Sequence, residues 1–144
     1  MRYLKAFLAG AIAVLIFHQG MLAILQAVGL TQRGPFSMEP TAPFGVPQVV
    51  SAAFWGGLWG IVLLLVLRGV RDAGAWWATA ILVGTIATTL VAWFVVAPIK
   101  QQPIAGGWRP EAMAAALLVN GAWAVGTAIL FRVFRVSGPA LRSE

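Results

Sequence analysis

Four apolar runs take up most of the 144-residue chain, at residues 4–30, 48–67, 73–97 and 112–133. A bilayer core about 30 Å thick is crossed by ~20 apolar residues rising 1.5 Å each, and every run reaches that length. Lipid offers no partner to backbone N–H and C=O groups, so a segment that crosses it must close its hydrogen bonds internally. The runs therefore predict an all-α fold: a polytopic membrane four-helix bundle, arranged as two similar helical hairpins. They make residues 1–144 a single integral membrane domain, with outer loops at about 31–47 and 98–111.

Composition agrees. Hydrophobic residues make up 60% of the chain and charged residues 10%, against roughly 25% charge in soluble domains. A soluble chain this small could not bury so much apolar surface, which makes the lipid bilayer its first expected partner. With no cysteine, disulfides, thiolate metal sites and cysteine nucleophiles are excluded. The net charge of +6 does not indicate a nucleic-acid partner, because the basic residues sit singly or in pairs at span ends rather than along one face. The opening Met1-Arg2-Tyr3-Leu4-Lys5 imitates a signal peptide, but the apolar run continues past Ala13 to Gln26, too long for a cleavable core. An uncleaved first span is expected.

Basic residues also orient the spans. Arg2, Lys5, Arg68, Arg71, Arg132, Arg135 and Arg142 fall on one side, and only Arg33, Lys100 and Arg109 on the other. By the positive-inside rule both termini are cytoplasmic. The connection Arg68-Gly69-Val70-Arg71-Asp72-Ala73-Gly74 is short and predicts a tight hairpin of spans two and three. Trp76 and Trp77 at the inner interface, with Trp93 and Trp108 at the outer one, fit an aromatic belt. Trp59 and Trp123 fall mid-span and are expected to pack inside the bundle or to offer their N–H to a neighbouring helix.

Helices in lipid associate by close backbone approach and interhelical hydrogen bonds. Small residues four apart share a face, and three such ladders are visible. Span two carries Ala52, Gly56 and Gly60; span three carries Ala80, Gly84, Thr88 and Ala92; span four carries Ala112, Ala116, Asn120, Ala124 and Ala128. Gly56, Gly60, Gly84 and Ala124 are the expected helix-packing positions. A faint repeat accompanies them: one offset aligns Gly57-Leu58-Trp59 with Gly121-Ala122-Trp123, and Arg68 and Arg71 with Arg132 and Arg135.

Polar residues inside spans are costly and mark the places to look for function. His18, Gln19 and Gln26 lie in span one, Thr85, Thr88 and Thr89 in span three, and Asn120 in span four. His18, Gln19, Thr88 and Asn120 define a possible polar site in the outer half of the membrane, near Trp55 and Trp59. One lone histidine with no cysteine falls short of a metal site, and no cofactor is expected. No phosphate-binding glycine loop, serine-nucleophile motif or paired-acid arrangement is present, so no catalytic residue is assigned. In the loops, Glu39 with Arg33 or Arg109 could supply a base and an anion clamp. Glu111, after Pro110, suits a helix N-terminus. Pro35, Pro40, Pro43 and Pro47 exclude a regular helix in the first loop. Its Phe36, Met38, Phe44 and Val46 predict a loop that caps the bundle or dips into the outer membrane face.

Phe17-His18-Gln19, Pro43-Phe44-Gly45-Val46-Pro47 and Phe54-Trp55-Gly56-Gly57-Leu58-Trp59-Gly60 resemble segments of a group of short, uncharacterised bacterial inner-membrane proteins with four spans. The resemblance covers the first half of the chain. It implies a bacterial inner (cytoplasmic) membrane location and carries no activity. The expected role is a non-enzymatic membrane subunit or scaffold that packs against other membrane protein subunits or against itself. Two other classes stay open: a small transporter or channel-like oligomer lined by the polar layer, and a lipid- or quinone-related membrane enzyme.

Overall fold

A computed structural model describes residues 1–136; Arg142 lies outside the described residues. Four long helices are present: α1 (Arg2–Ala27), α2 (Gln48–Leu67), α3 (Ala73–Ile99) and α4 (Pro110–Val133), each long and apolar enough to cross a membrane. Strands β1 (Pro40–Thr41) and β2 (Val46–Pro47) pair antiparallel within the first long loop, with Pro40 opposite Pro47 and Thr41 opposite Val46. The architecture is an all-α four-helix arrangement, compatible with a multi-pass membrane protein.

Side-chain caps tie the ends together. Arg2 Nε donates to the Val136 carbonyl at 2.9 Å and Lys5 Nζ to the Phe134 carbonyl at 3.3 Å, which places both ends of the described chain at one end of the bundle. The proline-containing loops occupy the opposite end, where Lys100 Nζ reaches Ser51 Oγ. The bundle thus has a terminal end and a loop end.

Local chemistry sets the helix limits. α1 stops at Ala27 rather than reaching residue 30 because Gly29 adopts φ +78°. Leu30 N–H then returns to the Leu25 carbonyl and Gly29 N–H to that of Gln26, a Schellman motif. The same pairing closes α3 through Gln101 and Gln102, and α4 through Arg135 and Val136, with Gln101 and Arg135 in the left-handed region. α4 begins at Pro110 instead of residue 112, since a first-turn proline lacks only an N–H that would be unpaired anyway. Asp72 caps α3 by accepting the Ala75 N–H at 2.7 Å. Two π-helical turns interrupt the spans, at Val14–His18 and Ala92–Val96. In the first, Gln19 N–H reaches back to the Val14 carbonyl. The added residue offsets the phase of all that follows, and Gln19 is buried.

Packing corrects the expected pairing. Spans two and three, joined by the shortest connection, meet less closely than α1 with α2 or α3 with α4. α1 has its own small-residue face, Ala6 and Gly10, which receives Gly56 and Gly60. A Cβ on Gly10 would land on the Gly56 carbonyl oxygen, and one on Gly60 would land on that of Ala6. Between α3 and α4 a Cβ on Gly84 would stand 2.6 Å from that of Ala124. α1 meets α4 where Phe17 lies over Gly126. The largest buried side chains include Leu63, Leu64, Leu67, Trp76 and Phe131, all in the terminal half. Trp76 is fully buried and stacks edge-on against Trp77, so it belongs to this core and not to an aromatic belt. Large apolar side chains such as Leu15, Phe54, Leu82 and Leu118 are exposed on all four helices.

If the α1–α2 crossing depends on missing side chains, Gly56→Val must force the helices apart. Overpacking of this kind costs about 1–3 kcal/mol or more. A lowered thermal midpoint in mild detergent is expected. Gly20→Ala, at a position with nothing within 4 Å, is expected to leave the midpoint unchanged or slightly raised. Equal midpoints for Gly56→Val and the parent would contradict the packing.

Candidate functional site

Polar side chains within the spans form two separate groups. The first joins α1 to the long loop. Gln19 Oε1 accepts the Phe36 backbone N–H at 2.8 Å, and Gln19 Nε2 lies 3.4 Å from His18 Nδ1. An N–H can only donate, so the amide oxygen must face Phe36 and the amide nitrogen must face the ring. His18 Nδ1 is then the acceptor, and the ring proton sits on Nε2. Gln26 lies against Gly34 of the same loop.

The second group joins α3 to α4. Asn120 Nδ2 donates to Thr89 Oγ1 at 2.8 Å. Thr88 Oγ1 donates back along its own helix to the Gly84 carbonyl, and also approaches that of Thr85 at 3.3 Å. Among the described residues no hydrogen bond connects His18 or Gln19 with Thr88 or Asn120. The ring of His18 faces Gln19 and not Asn120. The hydroxyls of Thr85 and Thr127 are buried without a partner. Between the hairpins, Trp123 Nε1–H donates to the Gly10 carbonyl at 2.9 Å, in the buried middle of the bundle. Trp59 packs against the main core, whereas Trp55 is exposed.

The long loop reaches down into the bundle as well as across its end. Gln19 stands eight residues before the end of α1 at Ala27, so Phe36 is anchored about 12 Å below that end at 1.5 Å per residue. Irregular backbone at such depth is tolerated where its polar groups find protein partners. The loop meets that condition twice more. The carbonyls of Glu39 and Ser37 accept the Gln48 and Val49 N–H groups at 3.0 and 3.1 Å, satisfying first-turn donors of α2. The β1–β2 pair is closed by Gly45 N–H to the Thr41 carbonyl and by Thr41 Oγ1 to that of Val46. Phe36, Met38 and Phe44 remain exposed, Phe44 at 86%.

Charges at the loop end are mostly cationic. Lys100 is half-buried and donates to Ser51 Oγ at 3.2 Å. Burial first, and the neighbouring Arg33 second, hold its ammonium below the usual lysine range. Glu111 lies in the first turn of α4. Among the described residues Glu39 forms no ion pair with Arg33 or Arg109; its carbonyl serves as a cap instead. No cluster of three His, Cys, Asp or Glu that could hold a metal ion occurs among the described residues.

No protein-family model, curated protein or solved structure matches this chain. The site must be read from its own chemistry. Sequence reasoning singled out His18 and Gln19 but missed their link to Phe36. The signal was a glutamine beside a histidine inside a span, next to a loop too apolar to be a free linker. Ser51, first-turn partner of Lys100, was also missed.

Gln19→Leu removes the acceptor that anchors the loop. A hydrogen bond of this kind is worth about 1 kcal/mol. The Phe36 amide is therefore expected to exchange with deuterium roughly fivefold faster, while Asn120→Ala leaves that rate unaltered. Equal exchange in Gln19→Leu and the parent would contradict the anchoring.

Proposed function

We propose that this chain is a small, non-enzymatic integral membrane protein of the bacterial cytoplasmic membrane. In this reading it is a subunit or scaffold that packs with other membrane helices, its own or those of a partner. The supporting observation is how its costly polar groups are used. Gln19, Asn120, Thr88 and Trp123 each take a partner within the chain. Such pairing stabilises a helix bundle, at ~0.6 kcal/mol per contact in lipid. A transporter needs polar groups directed into a wet path connecting both faces. Here the two polar groups are separate, and Trp123 fills the space between α1, α2 and α4 near Gly10 and Gly56.

The exterior supports the same reading. Apolar side chains on all four helices suit lipid or other apolar helices. Arg2, Lys5, Arg68, Arg71, Arg132 and Arg135 gather at the terminal end, which favours a cytoplasmic placement of both termini.

Two experiments test this. Purified in mild detergent, the chain is expected to elute with a larger membrane assembly or as a homo-oligomer. A monomer that catalyses passage of a solute in reconstituted vesicles would favour the transporter reading. For orientation, the chain has no native cysteine, so Met38→Cys and Gly69→Cys each provide a single thiol. In intact cells an impermeant maleimide is expected to label Met38→Cys only. Labelling of Gly69→Cys alone would reverse the topology.

A further inference from the structure

Arg33, Lys100 and Arg109 share the loop end with Glu39 and Glu111, and among the described residues none of the three forms an ion pair. The Arg33 side chain makes no hydrogen bond or ion pair with any described residue. Lys100, at the end of α3, turns onto Ser51 of α2 instead of extending into solvent. Arg33 belongs to the loop stretch whose Gly34 lies against Gln26, whose Phe36 is anchored on Gln19 beside His18, and whose Ser37 carbonyl accepts from Val49 in the turn that carries Ser51. His18 Nε2, which carries the ring proton, has no acceptor among the described residues. The cluster offers donors: a guanidinium, an ammonium, a hydroxyl whose O–H makes no hydrogen bond among the described residues, and an imidazole N–H. Exposed Arg33 and half-buried Lys100 repel each other at this end of the bundle, and an anion between them reverses the sign.

The position narrows the class of anion. α2 and α3 make little contact with each other, and the bulky core lies in the terminal half, so the Lys100–Ser51 bridge crosses the gap between two helix ends. Phe36, Met38 and Phe44 are exposed on the neighbouring loop. An occupant that satisfies both surroundings has a compact, acceptor-rich anionic head and an apolar body. We propose that Arg33, Lys100 and Ser51 bind the phosphate of an anionic phospholipid from the leaflet facing the loops, with the deeper His18 Nε2–H available to an ester carbonyl. This rests on the membrane-spanning reading and not on the scaffold role.

The test uses the full chain in neutral detergent, titrated by native mass spectrometry. The probes are phosphatidylglycerol, diacylglycerol with the same acyl chains, and inorganic phosphate. A retained one-to-one phosphatidylglycerol adduct is expected, with diacylglycerol bound at least about tenfold more weakly. Arg33→Gln and Lys100→Gln are each expected to weaken the adduct about tenfold. Lys100→Arg retains it, and Arg109→Gln, which removes one charge from the same end, leaves it unchanged. Equal binding of phosphatidylglycerol and diacylglycerol by the unmutated chain overturns the proposal, whether or not any variant folds. So does an equal loss in Arg109→Gln. Inorganic phosphate bound as tightly as the lipid overturns the lipid source and assigns the cluster to soluble phosphate. A failed titration with the maleimide pattern intact removes this site and leaves the membrane reading standing.

Discussion

Because Gly10, Gly56 and Gly60 carry no side chains, α1 and α2 can meet backbone to backbone, and that approach fixes what the remaining helices can do. It exposes the Gly10 carbonyl toward α4, where the Trp123 indole N–H takes it. One hydrogen bond thereby ties the second hairpin to the first at the buried centre. In lipid, where apolar surface gains little by leaving its solvent, close approach and such bonds are the forces available. α3 then follows α4 through Gly84 and Ala124. The short connection from Arg68 to Asp72 limits how far α2 and α3 can separate, but it does not supply their packing.

Much of this framework was legible in the residues. Four apolar runs of spanning length leave few alternatives to a helical bundle; in the structure Gly56 and Gly60 stand against Gly10 and Ala6, and Gly84 against Ala124. The mid-span Trp123 also does what a tryptophan at that depth is expected to do. The partner of the second span was misjudged from the short connection to span three, while Ala6 and Gly10, which share the same four-residue spacing, went unread; loop length was the weaker guide. A short loop constrains proximity; only surface shape decides contact.

Other features left no trace that periodicity could read. The π-helical turn at Val14–His18 has no signature residue, yet it shifts the phase that brings Gln19 inside. Gly29 marks the end of α1 in the usual manner, whereas Gln101 and Arg135 end their helices in left-handed conformations that side chains of their kind seldom adopt. Equal depth suggested that His18, Thr88 and Asn120 share a layer. Depth does not fix direction around a helix, and each residue found its partner on its own side: His18 beside Gln19 and the loop, Asn120 across to Thr89. The loop end therefore combines a buried anchor, the cations Arg33 and Lys100 and an exposed apolar rim, while the terminal end holds the dense core.

The most direct test of this account concerns the Trp123 indole proton. With the chain in lipid nanodiscs and tryptophan side chains labelled with nitrogen-15, the Trp123 Nε1–H is expected to exchange slowly with deuterated water. It should also give a nuclear Overhauser contact to the Gly10 α-protons. A rapidly exchanging Trp123 indole, or one in contact with water and not with Gly10, would mean that the hairpins do not close on each other as described.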